Sequence, residues 1–139
     1  MNEESRLAVR RGLTATNTEQ SAEMRSLYSR APAEPPRVEV YVTDESGAVL
    51  GGAYGVILWG RWFDPDVVWL GDAVRGGGTG RMLMQKVEGA AREAGASAVR
   101  LDPLDFQARG FYEKCGYRVY GELAGYPEHH TQYLMTKEL

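Results

Sequence analysis

Four glycines fall within five residues, at Gly76, Gly77, Gly78 and Gly80, and Arg75 and Arg81 bracket them. Glycine costs backbone entropy, so this density inside a folded domain needs a reason. A helical pattern follows, and a helix start carries unpaired N–H groups and the positive end of the helix dipole. Glycines at that place let an anion rest on the backbone with no Cβ in the way. The two arginines add charge there, so the chemistry indicated is phosphate or pyrophosphate binding. Two common phosphate loops do not fit. A Walker loop needs a lysine and a hydroxyl after its last glycine, whereas Arg81 and Met82 follow Gly80. A dinucleotide fingerprint needs a third glycine, and both possible frames fail, at Arg81 and at Leu83. A plain tight connection between strand and helix is the bland alternative.

The elements that must position this loop can be read from periodicity. Leu7, Ala8, Val9 and Leu13 allow a helix from Glu3 to about Thr16, and a second helical stretch runs from Glu19 to Ser29. "APAEPP" then stops any helix. Val38, Val40 and Val42 alternate with Glu39 and Tyr41 as a strand, "DESG" reads as a hairpin turn, and a second strand starts at Ala48. "RWFDPD" reads as a further turn and "VVWLG" as a third strand. Leu83, Val87, Ala90, Ala91 and Ala94 share one face of a helix that Gly95 can end. "SAVRLD" is then a strand, "DFQARGFYEKCG" a short helix, and "YRVYGEL" and "HTQYLMTKEL" two final strands. A strand–helix–strand unit implies parallel pairing somewhere in the sheet.

The totals limit the function. A chain of 139 residues, 43% hydrophobic and 25% charged, suits one globular domain over residues 1–139. A net charge of -3 argues against a sequence-independent nucleic-acid grip. The polar start "MNEESRL" is unlike a secretory signal, and the apolar run "AVLGGAYGVILWG" is shorter than the roughly 18 residues a membrane span needs. Neither a nucleic-acid nor a membrane partner is expected, and the expected location is cytoplasmic. Cys115 is the single cysteine, so no intrachain disulfide forms.

Arg75, Gly78 and Gly80 satisfy R-x-x-G-x-G. That spacing, the "FYEKCGY" block and the strand–helix–strand order between them resemble the GNAT superfamily of acyl-CoA-dependent N-acetyltransferases. The likeness runs from the hairpin onward, roughly the last two-thirds of the chain. The tail "YPEHHTQYLMTKEL" is similar to a bacterial subgroup with a Tyr-Pro…His…Tyr ending. The resemblance implies an α/β fold: a mixed, mostly antiparallel central sheet with helices on both faces. It also implies acetyl transfer from acetyl-CoA to a primary amine, by direct attack in a ternary complex. Acetyl-CoA is then the co-substrate, a small-molecule or peptide amine the acceptor, and no metal takes part.

Such a transfer needs a neutral amine, donors for an oxyanion and a proton for the leaving thiolate. The resemblance gives the last task to Tyr112; the alternative is a core aromatic. It sets the loop Arg75, Gly76, Gly77, Gly78, Thr79, Gly80 and Arg81 against the pyrophosphate. It sets Val68, Trp69 and Leu70 along the pantetheine arm, with Gln107 nearby. Asp105 stands where relatives often have an asparagine for that arm. His130 is the candidate base, since histidine alone titrates near neutrality without help. Glu122, Asp64 and Asp66 are its rivals, or else hold a cationic acceptor. Trp59 and Trp62 either wall the acceptor pocket or simply pack. Cys115 reads as structural. Family members usually open with a strand before the first helix. Here only "MNEES" precedes it, so either the first strand is expected to be missing or the start truncated, and a second copy could cover the exposed sheet edge. The rival to an enzyme is a non-catalytic, acyl-CoA-binding regulatory domain.

Overall fold

The computed structural model describes residues 2–139. Two compact units divide at Glu34 and Pro35. The first unit is a pair of helices, α1 (Glu3–Gln20) and α2 (Ala22–Arg30). Asn2 caps α1 by accepting from the Ser5 N–H at 3.2 Å, and Glu3 and Glu4 in the first turn suit the helix dipole. Ser21 serves both helices. Its N–H closes on the Asn17 carbonyl at 3.0 Å, and its hydroxyl accepts from the Met24 N–H at 3.1 Å. Asn17 also donates to the Tyr28 hydroxyl at 3.0 Å. α1 runs past the expected Thr16 to Gln20, and α2 starts at Ala22 and not at Glu19, because the Ser21 cap and not the periodicity divides them.

The second unit holds six strands: β1 (Arg37–Thr43), β2 (Val49–Leu58), β3 (Trp62–Leu70), β4 (Ala98–Leu101), β5 (Arg118–Ala124) and β6 (Thr131–Glu138). Their order in the sheet is β1-β2-β3-β4-β6-β5. Only β3 and β4 pair in parallel, across the crossover helix α3 (Thr79–Glu93). The mixed, mostly antiparallel sheet with helices is the expected fold class. A short helix α4 (Arg109–Lys114) links β4 to β5. β1 and β5 are the edge strands among the described residues.

Leu83, Met84, Val87 and Ala91 of α3 are buried with Phe63, Val99 and Met135 of the sheet and Tyr112 of α4. Each large apolar side chain so buried contributes about 1.5–3 kcal/mol. A charged pair lies in the same layer. Lys137 Nζ stands 2.9 Å from Glu88 Oε2, and the Tyr117 hydroxyl donates to Glu88 Oε1 at 2.9 Å. Lys137 also donates to the Cys115 carbonyl at 2.7 Å, so this cluster ties α3, β6 and the end of α4 together.

"RWFDPD" corrects one reading. Its Trp62–Asp66 is the first part of β3, and the turn is Trp59–Arg61, where Trp59 and Gly60 take positive φ of 55° and 67°. Asp-Pro-Asp has turn chemistry, yet Phe63 just before it is fully buried, and burial decides. The strand absorbs the extra residue as a bulge. Tyr54 pairs with Val67 and Gly55 with Pro65, leaving Asp66 unopposed. The bulge also reverses which parity faces inward, from Phe63 to Val68 and Leu70. A Cβ on Gly55 would stand 2.6 Å from Pro65 Cα, so glycine is needed where the bulge presses on β2.

Candidate active site

β3 and β4 are joined by only two pairs, Trp62 with Ala98 and Phe63 with Val99. Beyond them β3 continues to Leu70 with β2 as its partner, and β4 turns away. Apart from the Leu70 carbonyl, which accepts from Arg75 Nε, the backbone groups of β3 that would have met β4 have no strand partner on that side. A cleft of about 1010 Å³ occupies the gap. Val68, Trp69 and Leu70 line one wall, and Leu101, Asp102 and Pro103 line the other. An extended chain bearing amides fits there as a strand would.

The glycine loop closes one end. Gly76 and Gly78 take φ of 83° and 82°, a region that L side chains avoid. A Cβ on Gly76, Gly77 or Gly78 would meet nothing within 4 Å, so open space surrounds the loop. Gly78 caps α3 with no side-chain bond, and no acidic residue stands in the first turn. The free N–H groups are therefore uncompensated, which favours an anion. Gly80 has a different reason: a Cβ there would press on the Phe111 ring at 3.1 Å. Gly76, Gly78 and Gly80 line the cleft, whereas Gly77 and Thr79 do not. Arg75 and Arg81 line it too, though each is also tied back to the protein. Arg75 Nε donates to the Leu70 carbonyl at 2.8 Å and its Nη1 lies 3.0 Å from Asp72; Arg81 donates to the Lys114 carbonyl at 3.1 Å.

Helix α4 forms a further wall. Its start is held by Ala108 in the left-handed region, φ 59°. Gln107 lines the cleft, and its Oε1 accepts from the Leu104 N–H at 2.9 Å. Tyr112 packs edge-on to Phe111 and Tyr117, at centroid distances of 5.3 and 5.9 Å. Its ring belongs to the core, yet the residue lines the cleft. Burial above all, then the nearby Cys115, pushes its phenol up to about 12. A phenol so placed keeps its proton through the neutral range and can donate it. Burial also pushes the Cys115 thiol up, which makes it a poor nucleophile.

His130 precedes β6 and lies outside the strands. Its Nδ1 stands 2.9 Å from Asp105 Oδ1, and Asp105 Oδ2 accepts from the Thr131 N–H at 3.0 Å. The Thr131 N–H first, and His130 second, hold the Asp105 carboxyl below the usual carboxylate range. An ionised carboxylate only accepts, so Nδ1 carries the proton of that bond and Nε2 points away from Asp105. The imidazole packs edge-on to Phe106 at 4.8 Å; Phe106 lines the cleft, whereas His130 and Asp105 line neither cavity. Asp105, which the resemblance set near the pantetheine arm, is thus the partner of His130.

The remaining candidates separate. Asp66 is exposed at the bulge and lines the cleft. Asp64, two residues earlier, is 3.7 Å from Arg100. Trp59 and Trp62 meet in a second cavity, apart from Asp66. Glu122 is exposed on β5, 3.9 Å from Arg109, and lines neither cavity.

A sequence profile described as the acetyltransferase (GNAT) family matches residues 7–117. The chain belongs to that family. It is an acetyl-CoA-dependent N-acetyltransferase, and the parted strands and glycine loop fit acetyl-CoA as the co-substrate. The chain is similar to a blasticidin-S acetyltransferase of Streptomyces morookaense, 36% identical over 131 residues, 91% of this chain and 96% of that protein. An acetyltransferase from Bacillus cereus superposes with a TM-score of 0.78 at 28% identity, over 100% of this chain and 94% of that one. An aminoglycoside 6'-N-acetyltransferase complexed with coenzyme A shares the fold, with a TM-score of 0.67 at 16% identity, over 84% and 78% of the two chains. Among the described residues no helix is long and apolar enough to cross a membrane, and no cluster of His, Cys, Asp and Glu could hold a metal.

Proposed function

We propose that the protein acetylates a primary amine of a small antibiotic-like molecule, by direct attack in a ternary complex. The observation that carries this reading is the cleft itself: open glycines at a helix start at one end, and a protonated phenol on its α4 wall. The 36% identity to a blasticidin-S acetyltransferase, end to end, makes blasticidin S the first acceptor to test. Acetyl-CoA supplies the acetyl group already activated as a thioester. The backbone edge of β3 along Val68–Leu70 holds its extended arm. Gly76, Gly78 and the first turn of α3 hold its phosphates, with Arg75 and Arg81 beside them. The Tyr112 hydroxyl gives its proton to the departing sulfur. His130, oriented by Asp105, takes a proton from the amine through Nε2, directly or through water. Asp64, Asp66 and Asp102 favour an ammonium arriving at the mouth of the gap.

Purified protein with acetyl-CoA and a panel of amines tests this by mass spectrometry and thiol release. Blasticidin S is expected to gain one acetyl group, with initial-rate lines that intersect. His130→Gln is expected to lower kcat about 10²-fold, with affinity for acetyl-CoA unchanged. CoA binding with no acetylation of any amine would favour the regulatory domain instead.

A further inference from the structure

Arg100 projects from the sheet face opposite Val99 and Leu101, since successive strand side chains alternate, and Asp102 follows the end of β4. Arg100 Nη2 lies 3.8 Å from Asp102, and Asp102 also lines the cleft. The Arg100–Asp102 pair thus links the opening of the cleft, at the gap between β3 and β4, to that second face. Beside the opening is a cavity of about 500 Å³. Trp59, Trp62 and Tyr120 wall it, and it carries two guanidinium groups, Arg100 and Arg118. The two differ in what they already hold. Arg100 is shared between Asp64 at 3.7 Å and Asp102 at 3.8 Å. Arg118 has no carboxylate partner among the described residues. Both stand opposite Thr136, one on each side of β6. Two strand spacings put them about 10 Å apart.

We propose that this cavity receives the far end of the acceptor, and that the acceptor carries a planar ring with a carboxylate at the end opposite its amine. The ring lies among Trp59, Trp62 and Tyr120. Arg118 takes the carboxylate, and the amine reaches the gap beside Asp64 and Asp102. Charge decides the orientation: the carboxylates cluster at the gap and the free guanidinium stands at the far end. The proposal rests on the acetyl-transfer reading of the cleft, and it divides that site into an amine end and an anion end.

Binding is measured on the full chain with 4-(aminomethyl)benzoate and 4-(aminomethyl)benzamide, which share the amine and ring and differ in the anion. Indole N–H resonances report by NMR. The benzoate is expected to shift Trp59 and Trp62 and to leave Trp69 in place. It is expected to bind about tenfold more tightly than the benzamide. Arg118→Gln should collapse that ratio towards one, and Arg118→Lys should keep part of it. Equal affinities in the native protein, an unchanged ratio in Arg118→Gln, or shifts confined to Trp69 would overturn the proposal. These readings need no acetyl transfer. If the cavity binds as described while no amine is acetylated, the transfer reading fails and the anion site stands.

Discussion

The two ends of β3 have opposite fates. Trp62 and Phe63 have partners on both sides, β2 and β4. Val67 to Leu70 have a partner on one side only, along Ala53, Tyr54 and the Gly51–Gly52 pair of β2. The doubly paired end supplies the fully buried Phe63 to the core. The singly paired end supplies the cleft wall. An unpaired strand edge is normally a liability, and here it lines the cleft. The bulge at Asp66 separates the two regimes, since it bends the strand and shifts its inward parity at the place where β4 departs.

If the singly paired end does the chemistry, Tyr112 on the facing helix is the most sensitive residue. Tyr112→Phe keeps the ring in the core and is expected to lower kcat about 10²-fold with little change in KM for acetyl-CoA. Tyr112→Ala should instead destabilise the fold by about 3–5 kcal/mol. Kinetics and thermal melting of both variants separate proton donation from packing, and a fully active Phe variant rules out the donor role. With its phenol pushed up to about 12, Tyr112 should not limit the rate on the alkaline side up to pH 10, a limit that a pH–rate profile checks.

A smaller effect belongs to the loop at the end of that wall. Gly78→Ala forces a left-handed residue at a cost of about 1–2 kcal/mol. If that strain appears on binding, calorimetry with coenzyme A should show a loss of about tenfold. Unchanged affinity would mean that the phosphates do not need this turn.

The smallest effect is expected at Asp64, where double pairing ends. Burial raises its carboxyl above the ordinary range, and Arg100 opposes this. The folded protein thus holds the proton more tightly than the unfolded chain. The resulting contribution to stability is complete below the usual carboxylate value of about 3.9 and is lost as pH rises through the higher folded value. Asp64→Asn should therefore melt slightly above the native protein at pH 7, by less than about 1 kcal/mol. The difference should close in acid. A variant less stable at pH 7 would show that the Arg100 pair outweighs burial.

Much of this was legible from neighbouring residues. The hairpin, the crossover helix and the short helix before Gly116 all follow from spacing, because caps, turns and apolar faces are local. β3 was less so. Asp-Pro-Asp looks like a turn from within, and only its place beside β2 and β4 makes it strand and bulge. The site divides in the same way. The loop and Tyr112 were apparent from motif and resemblance. The bond between Asp105 and His130 joins residues 25 apart through the return of β6, and no local signal announces it.

By itself the sequence determined the glycine loop at a helix start, the amphipathic face of α3 and the family. These depend on backbone freedom and side-chain period within a few turns of chain. Only the tertiary structure decided where β3 and β4 part, which carboxylate orients His130, and that Trp59 and Trp62 share a cavity with Arg118. Those outcomes depend on which strands compete for the same hydrogen bonds and which faces are buried together, and both are properties of the assembled sheet.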